Sequence, residues 1–277
     1  MVRVWGANMS DVTDRSSRLL GEVYGYQDCT AEAVKLPIAG NDGVAVSPKP
    51  WWSRHGLGEI CAMDDFEDVL KWTQVQGTVS KASDTTWVHE GNFAMKIVTG
   101  ATAGYEAIAR LHTMPLIYQW QYSCIELWWA FSAAAATTPR FFRILWKVQD
   151  SGGSKSWQFG LEYDHYIGAS PQKKWSYLDH TGAFATIPYL NLSDEVAVTE
   201  PQFNYLLLQI RRSGNDYLYD FVQMNGKNPG TMTGVAGYEG TWDRGGQTID
   251  ISVENDADAV ATLYVDAFTI SNGVYTD

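Results

Sequence analysis

Residues 203–227 read FNYLLLQIRRSGNDYLYDFVQMNGK. Leu206, Leu208 and Ile210 recur at the two-residue period of a strand with one buried face, and Tyr205, Gln209 and Arg211 fall on the other. Ser213-Gly214-Asn215-Asp216 breaks the run. Beyond it, Leu218, Val222 and Met224 alternate with Tyr217, Tyr219 and Phe221, and Asn225-Gly226 supplies the positive-φ residues of a tight turn. The reading is a long β-hairpin inside a sheet that is covered on one face and aromatic on the other.

The same texture extends outward from the hairpin. Downstream, Thr248–Glu254 and Ala261–Ile270 alternate cleanly. Upstream, strands are expected around Phe66 and over 72–79, 93–98, 110–113, 121–131, 141–150, 155–163, 174–178 and 184–188, most of them bounded by Gly, Ser, Pro or Asp clusters. The run Ala133–Ala136 reads as a loop. Strands with scarcely a helical period predict an all-β fold, two packed antiparallel sheets, over residues 61–277.

Composition narrows the functional classes. A formal charge of −12 argues against binding a nucleic acid backbone, which needs a basic face. Arg140, Arg143 and Lys147, and the pair Lys173-Lys174, read as solvated strand or loop positions. The three cysteines, Cys29, Cys61 and Cys124, have no metal-ligand spacing. No segment approaches the apolar length of a membrane span, and the N-terminus lacks the apolar core of a signal peptide, so a start in the cytoplasm and no membrane partner are expected.

Residues 1–60 differ from the rest. Asp11–Gly25 offers a short helix whose apolar stripe is only Leu19, Leu20 and Val23, too little to bury itself. Lys35–Trp52 gives two short extended pieces around Asn41-Asp42-Gly43. Yet the segment carries Trp5, Leu19, Leu20, Tyr24, Trp51 and Trp52. Rings of that number predict an arm that gains its order by docking on a neighbouring subunit.

Three pieces in this order resemble the jelly-roll sandwiches of the concanavalin A-like lectin/glucanase superfamily and related carbohydrate-binding modules. They are DDFE with Trp72 and then GNFAMKI, the hairpin ending in MNGK, and LYVDAFTIS near the C-terminus. The resemblance implies a jelly-roll fold over roughly residues 63–272. It also implies a structural calcium tying the first strand to the last, with Glu67 and Asp266 at the matching positions and Asp65 or Asn92 as additions. ANMSDVTDRSSRLLGEVYG, chiefly its RLLGEVYG end, resembles the leader of some tailed-bacteriophage structural proteins.

Sandwich glucanases of the superfamily commonly carry a strand-borne E-x-D-x-x-E, which alternation places on one face. Here Glu162 and Asp164 match the first two acids, but Ile167 stands at the third. Asp250, Ser252 and Glu254 have the spacing with serine in the middle. Both sets read as polar outer faces of strands, and the five histidines have no metal-ligand spacing. The expectation is a non-enzymatic structural protein of a phage-like virion, present in the host cytoplasm before assembly, docked through its arm on other virion subunits and on copies of itself. The alternative is a glycan-binding module with Trp157, Tyr163, Tyr166, Trp175 and Tyr177 as a stacking platform. An enzyme of the laminarinase or alginate-lyase type stands third. No cofactor is expected beyond the structural calcium.

Overall fold

A computed structural model describes residues 60–83, 85–113, 121–132, 139–149, 155–167, 170–187, 203–225, 232–240, 247–256 and 259–271. The expected arm, the Ala133–Ala136 loop and Gly226 lie outside the described residues. The strands are β1 (Ile60–Asp64), β2 (Thr73–Gln76), β3 (Thr78–Ala82), β4 (Ala94–Val98), β5 (Glu106–Thr113), β6 (Tyr122–Phe131), β7 (Pro139–Gln149) and β8 (Ser156–Ile167). They continue with β9 (Ser170–Leu178), β10 (Phe184–Thr186), β11 (Asn204–Ser213), β12 (Asp216–Met224), β13 (Tyr238–Gly240), β14 (Gln247–Asn255) and β15 (Thr262–Ser271). A single 3-10 turn, Thr85–Trp87, is the only helical piece among the described residues.

The strands form two antiparallel sheets packed face to face, a jelly-roll sandwich. The seven-stranded sheet runs β12-β11-β6-β15-β4-β3, with β1 also on β15. The eight-stranded sheet runs β10-β9-β8-β7-β14-β5-β2, with β13 also on β8. Between them lies one apolar core. Leu206, Leu208 and Ile210 enter it from β11, Ile125, Leu127 and Trp129 from β6, and Ile249, Ile251 and Val253 from β14. Each such side chain contributes roughly 1.5–3 kcal/mol by leaving water.

The hairpin of residues 204–224 forms as the sequence predicts, but its second strand is not read correctly by strict alternation. Gln209 faces Phe221 while Ile210 faces Tyr219, so Asp220 is an extra residue in β12. That bulge moves Tyr217 and Tyr219 to the same side as Val222 and Met224, in the core, while Phe221 stays on the opposite face against Tyr205, Leu207 and Cys124. Asn225 adopts φ 47° and closes the far end, its side-chain oxygen accepting the Tyr205 N–H at 2.8 Å.

The expected strand over 72–79 is two strands in different sheets. β2 pairs with β5 and β3 with β4, and the chain crosses from one sheet to the other at Gly77. There φ is +73°, and a Cβ would stand 2.4 Å from the Ala107 Cβ and 2.7 Å from the Val98 carbonyl oxygen. Phe66, expected in a strand, instead sits in the core at φ 60°, where the chain bends away after β1.

One long strand in each sheet changes partner midway. β15 pairs with β4 over Thr262–Val265 and with β1 over Phe268–Ser271. β8 pairs with β9 from Leu161 onward and with β13 over Ser156–Gln158. At each change a side-chain oxygen supplies bonds the ladder cannot. In β15 it is the carboxylate of Asp266, which accepts the His89 N–H at 2.7 Å and the Glu90 N–H at 3.1 Å. In β8 it is the hydroxyl of Tyr219, reaching across from the other sheet. It accepts the Gly160 N–H at 2.8 Å and lies 2.9 Å and 3.1 Å from the carbonyl oxygens of Leu178 and Gly160.

Candidate functional site

The expected stacking platform does not form. Trp157, Tyr163 and Trp175 are 2%, 0% and 1% exposed, because alternation along β8 and β9 points them between the sheets. Trp129 lies against Phe142 with centroids 4.2 Å apart, and its ring meets those of Tyr163 and Trp175. Tyr177 is partly buried against the same core. The backbone of Tyr166 lies in β8, whereas its side chain falls outside the described residues.

Glu67 and Asp266 also have other work. The Glu67 Oε1 accepts the backbone N–H groups of Asn92 and Phe93 at 2.5 Å and 3.0 Å, and its Oε2 accepts the Asn92 amide at 3.1 Å. Burial opposes the charge on Glu67, but those donors and Lys81 together hold its carboxyl below the usual range. The Asp266 oxygens are taken by His89, Glu90 and Ala267 N–H groups. Calcium needs a shell of oxygens with free lone pairs. Here N–H donors point at both carboxylates, and no group of three acids, histidines or cysteines suited to a metal occurs among the described residues. The pair does not fit the ion. Asp266 fastens residues 89–90 to β15, and Glu67 fastens residues 92–93 to the segment that follows β1.

What the fold does assemble is the outer face of the eight-stranded sheet. Outward positions on β5, β14, β7, β8 and β9 fall in register, so Glu106, Glu254, Phe141, Asp164 and Lys174 form one rung. Ile108, Ser252, Arg143, Glu162 and Ser176 form the next, and Arg110, Asp250, Leu145 and Gly160 the one after. Sequences far apart thereby meet: the two acid sets that read as polar strand faces lie on one surface with the basic residues 140, 143 and 147.

Most of the charges on this face are paired. Arg110 grips both oxygens of Asp250 through Nε and Nη2 at 2.6 Å each, a bidentate geometry. Arg143 donates from Nε to Glu162 at 2.6 Å and from Nη1 to Glu106 at 3.2 Å. Its guanidinium carbon lies over the rings of Phe141 and Phe184 at 4.1 Å and 4.9 Å. Arg140 pairs with Glu254, and Lys147 stands 3.9 Å from Asp250. Asp164 differs. It is half-buried with no ion pair among the described residues, opposite Phe141 and Lys174, and burial raises its carboxyl above the usual value despite Arg140, Arg143 and Lys174 nearby. Burial likewise raises Glu162 and Glu254 against the pull of their arginines.

No family model and no curated protein matches the sequence. Among solved structures the chain is similar to an endo-β-1,4-glucuronan lyase from the fungus Trichoderma reesei, at 13% identity over 78% of this chain and 92% of that one, TM-score 0.40. It is also similar to the Emp46p carbohydrate recognition domain, at 12% identity, 74% and 89% coverage and TM-score 0.41. A third is the alginate lyase Aly36B, at 9% identity, 73% and 98% coverage and TM-score 0.41. The expectation of a non-enzymatic protein does not stand. Two of these similar structures are polysaccharide lyases.

Proposed function

We propose that the chain binds a glycan across the outer face of its eight-stranded sheet. The observation that carries this reading is the face itself: aligned rungs with hydrogen-bonding side chains, held in fixed orientation by arginine–carboxylate pairs and bordered by the partly exposed ring of Phe184. Pre-oriented polar groups beside apolar carbons suit a sugar, which presents hydroxyls at its edge and C–H groups on its faces. A glycan array probed with the full chain tests it. Binding should occur and should be lost in Arg143→Ala, while Trp175→Asn should unfold the chain rather than select against a ligand. Binding that survives Arg143→Ala, or silence across the array, would remove the reading.

A virion role, with residues 1–60 as docking arm and 61–277 as displayed sandwich, rests on the sequence of that segment alone. Its test is deletion of residues 1–59, which leaves β1 intact. The expected outcome is a folded monomer with unchanged melting temperature that no longer self-associates, measured by light scattering. A truncated chain that associates like the full one would defeat it.

A further inference from the structure

Building on the glycan reading, and resting on it, we infer that the face selects uncharged glycans over uronate-bearing or sialylated ones, and that Asp164 is the residue setting that preference. The charges along the rungs and rim are matched: Arg110, Arg140, Arg143, Lys147 and Lys174 against Glu106, Glu162, Asp164, Asp250 and Glu254. The face is therefore formally neutral on a chain of net charge −12.

Neutrality alone would not select against an acidic ligand, but the geometry adds to it. Arg143 has Nε and both terminal nitrogens engaged by Glu162 and Glu106. Arg110 is bidentate on Asp250, which also faces Lys147, and Arg140 is on Glu254. A ligand carboxylate could reach Arg143 only by displacing a carboxylate of the protein, leaving that group partly buried and unpaired, and at Arg110, Arg140 or Lys147 it would approach the carboxylate already paired there. Lys174 is exposed, and it lies opposite Asp164 on the rung. Asp164 is the carboxyl that opposes a second negative charge at this lysine. For a sugar hydroxyl the same carboxyl is an acceptor that displaces nothing, and a hydrogen bond to a charged acceptor is among the stronger kinds.

The test is calorimetric binding of the full chain to neutral oligosaccharides (β-glucan, xylan and mannan) and acidic ones (alginate and polyglucuronate), at about 20 mM and about 500 mM salt. Neutral oligosaccharides should bind with nearly salt-independent affinity. Asp164→Asn should weaken them roughly tenfold, the scale of one charge-assisted hydrogen bond. It should also bring acidic oligosaccharides into range with affinity that falls as salt rises, because Lys174 is then unopposed. Circular dichroism of the variant confirms that the sandwich is intact, and Asp164→Ser provides a second, smaller replacement with the same expected change of preference. Wild-type binding of acidic oligosaccharides in preference to neutral ones would overturn the inference while leaving the glycan reading in place. An unchanged preference in both variants would do the same. Failure of every oligosaccharide to bind would overturn the glycan reading itself.

Discussion

Asp266 shows how a carboxylate can act in a role its sequence context conceals. It is 1% exposed at a bulge in β15 where Ala267 takes φ 51°, and it accepts amides from residues 176 and 177 positions away. The short text YVDA gives no sign of those donors, so a cation ligand and an amide acceptor look the same in sequence. Burial raises its pKa to about 7 against the pull of the amides, and burial likewise raises Asp64 to about 6 and Glu126 to about 7. A carboxyl raised in the folded state binds its proton more tightly there than in the unfolded chain. Its contribution to stability is full below the unfolded value near 4 and is lost as pH rises through 6 to 7. Urea midpoints should therefore fall between about pH 4 and pH 7, and Asp266→Asn should make that slope shallower. An equally steep slope in the variant would exclude Asp266 as a source. Excess chelator should leave the melting curve unchanged, since a lost ligand that bound only the native state would lower it.

At the scale of elements, alternation was legible where the ladder is regular and failed where a single residue interrupts it. The hairpin's first strand has the expected inward face because β11 pairs without a break on β6. Its second strand does not, because Asp220 adds one residue and reverses the facing of everything before it. Gly77 is the other failure. QVQGTVS reads as one strand with a weak spot, and only the close approach of Ala107 and Val98 shows why the spot must be glycine. Gly77→Ala combines positive φ with overpacking. It should destabilise the chain by roughly 2–4 kcal/mol in equilibrium unfolding, whereas Gly104→Ala, with the same sign of φ but open space, should cost less. Equal losses at the two glycines would show that backbone conformation alone decides.

For the whole molecule, the aromatic load was visible in the sequence but its direction was not. Rings suit a sandwich core and a sugar platform alike, and the choice depends on which strand face meets the second sheet. The candidate site was half legible: Glu162, Asp164, Asp250 and Glu254 stood out as acids, while the arginine partners of Glu162, Asp250 and Glu254 emerged only when β5, β14, β7 and β8 came into register. Removing the Tyr219 hydroxyl should show how much the union of the sheets depends on one atom. Tyr219→Phe leaves the buried Gly160 N–H without its acceptor and should cost about 1–3 kcal/mol in urea unfolding. A loss below a few tenths would mean the backbone finds another partner. Because that acceptor belongs to the opposite sheet, the Gly160 amide proton is a timekeeper for the sandwich. It can exchange with deuterated solvent only when β12 lifts from the eight-stranded sheet, so its exchange rate reads out the parting of the two sheets at that strand, while amides at the strand ends report only local fraying.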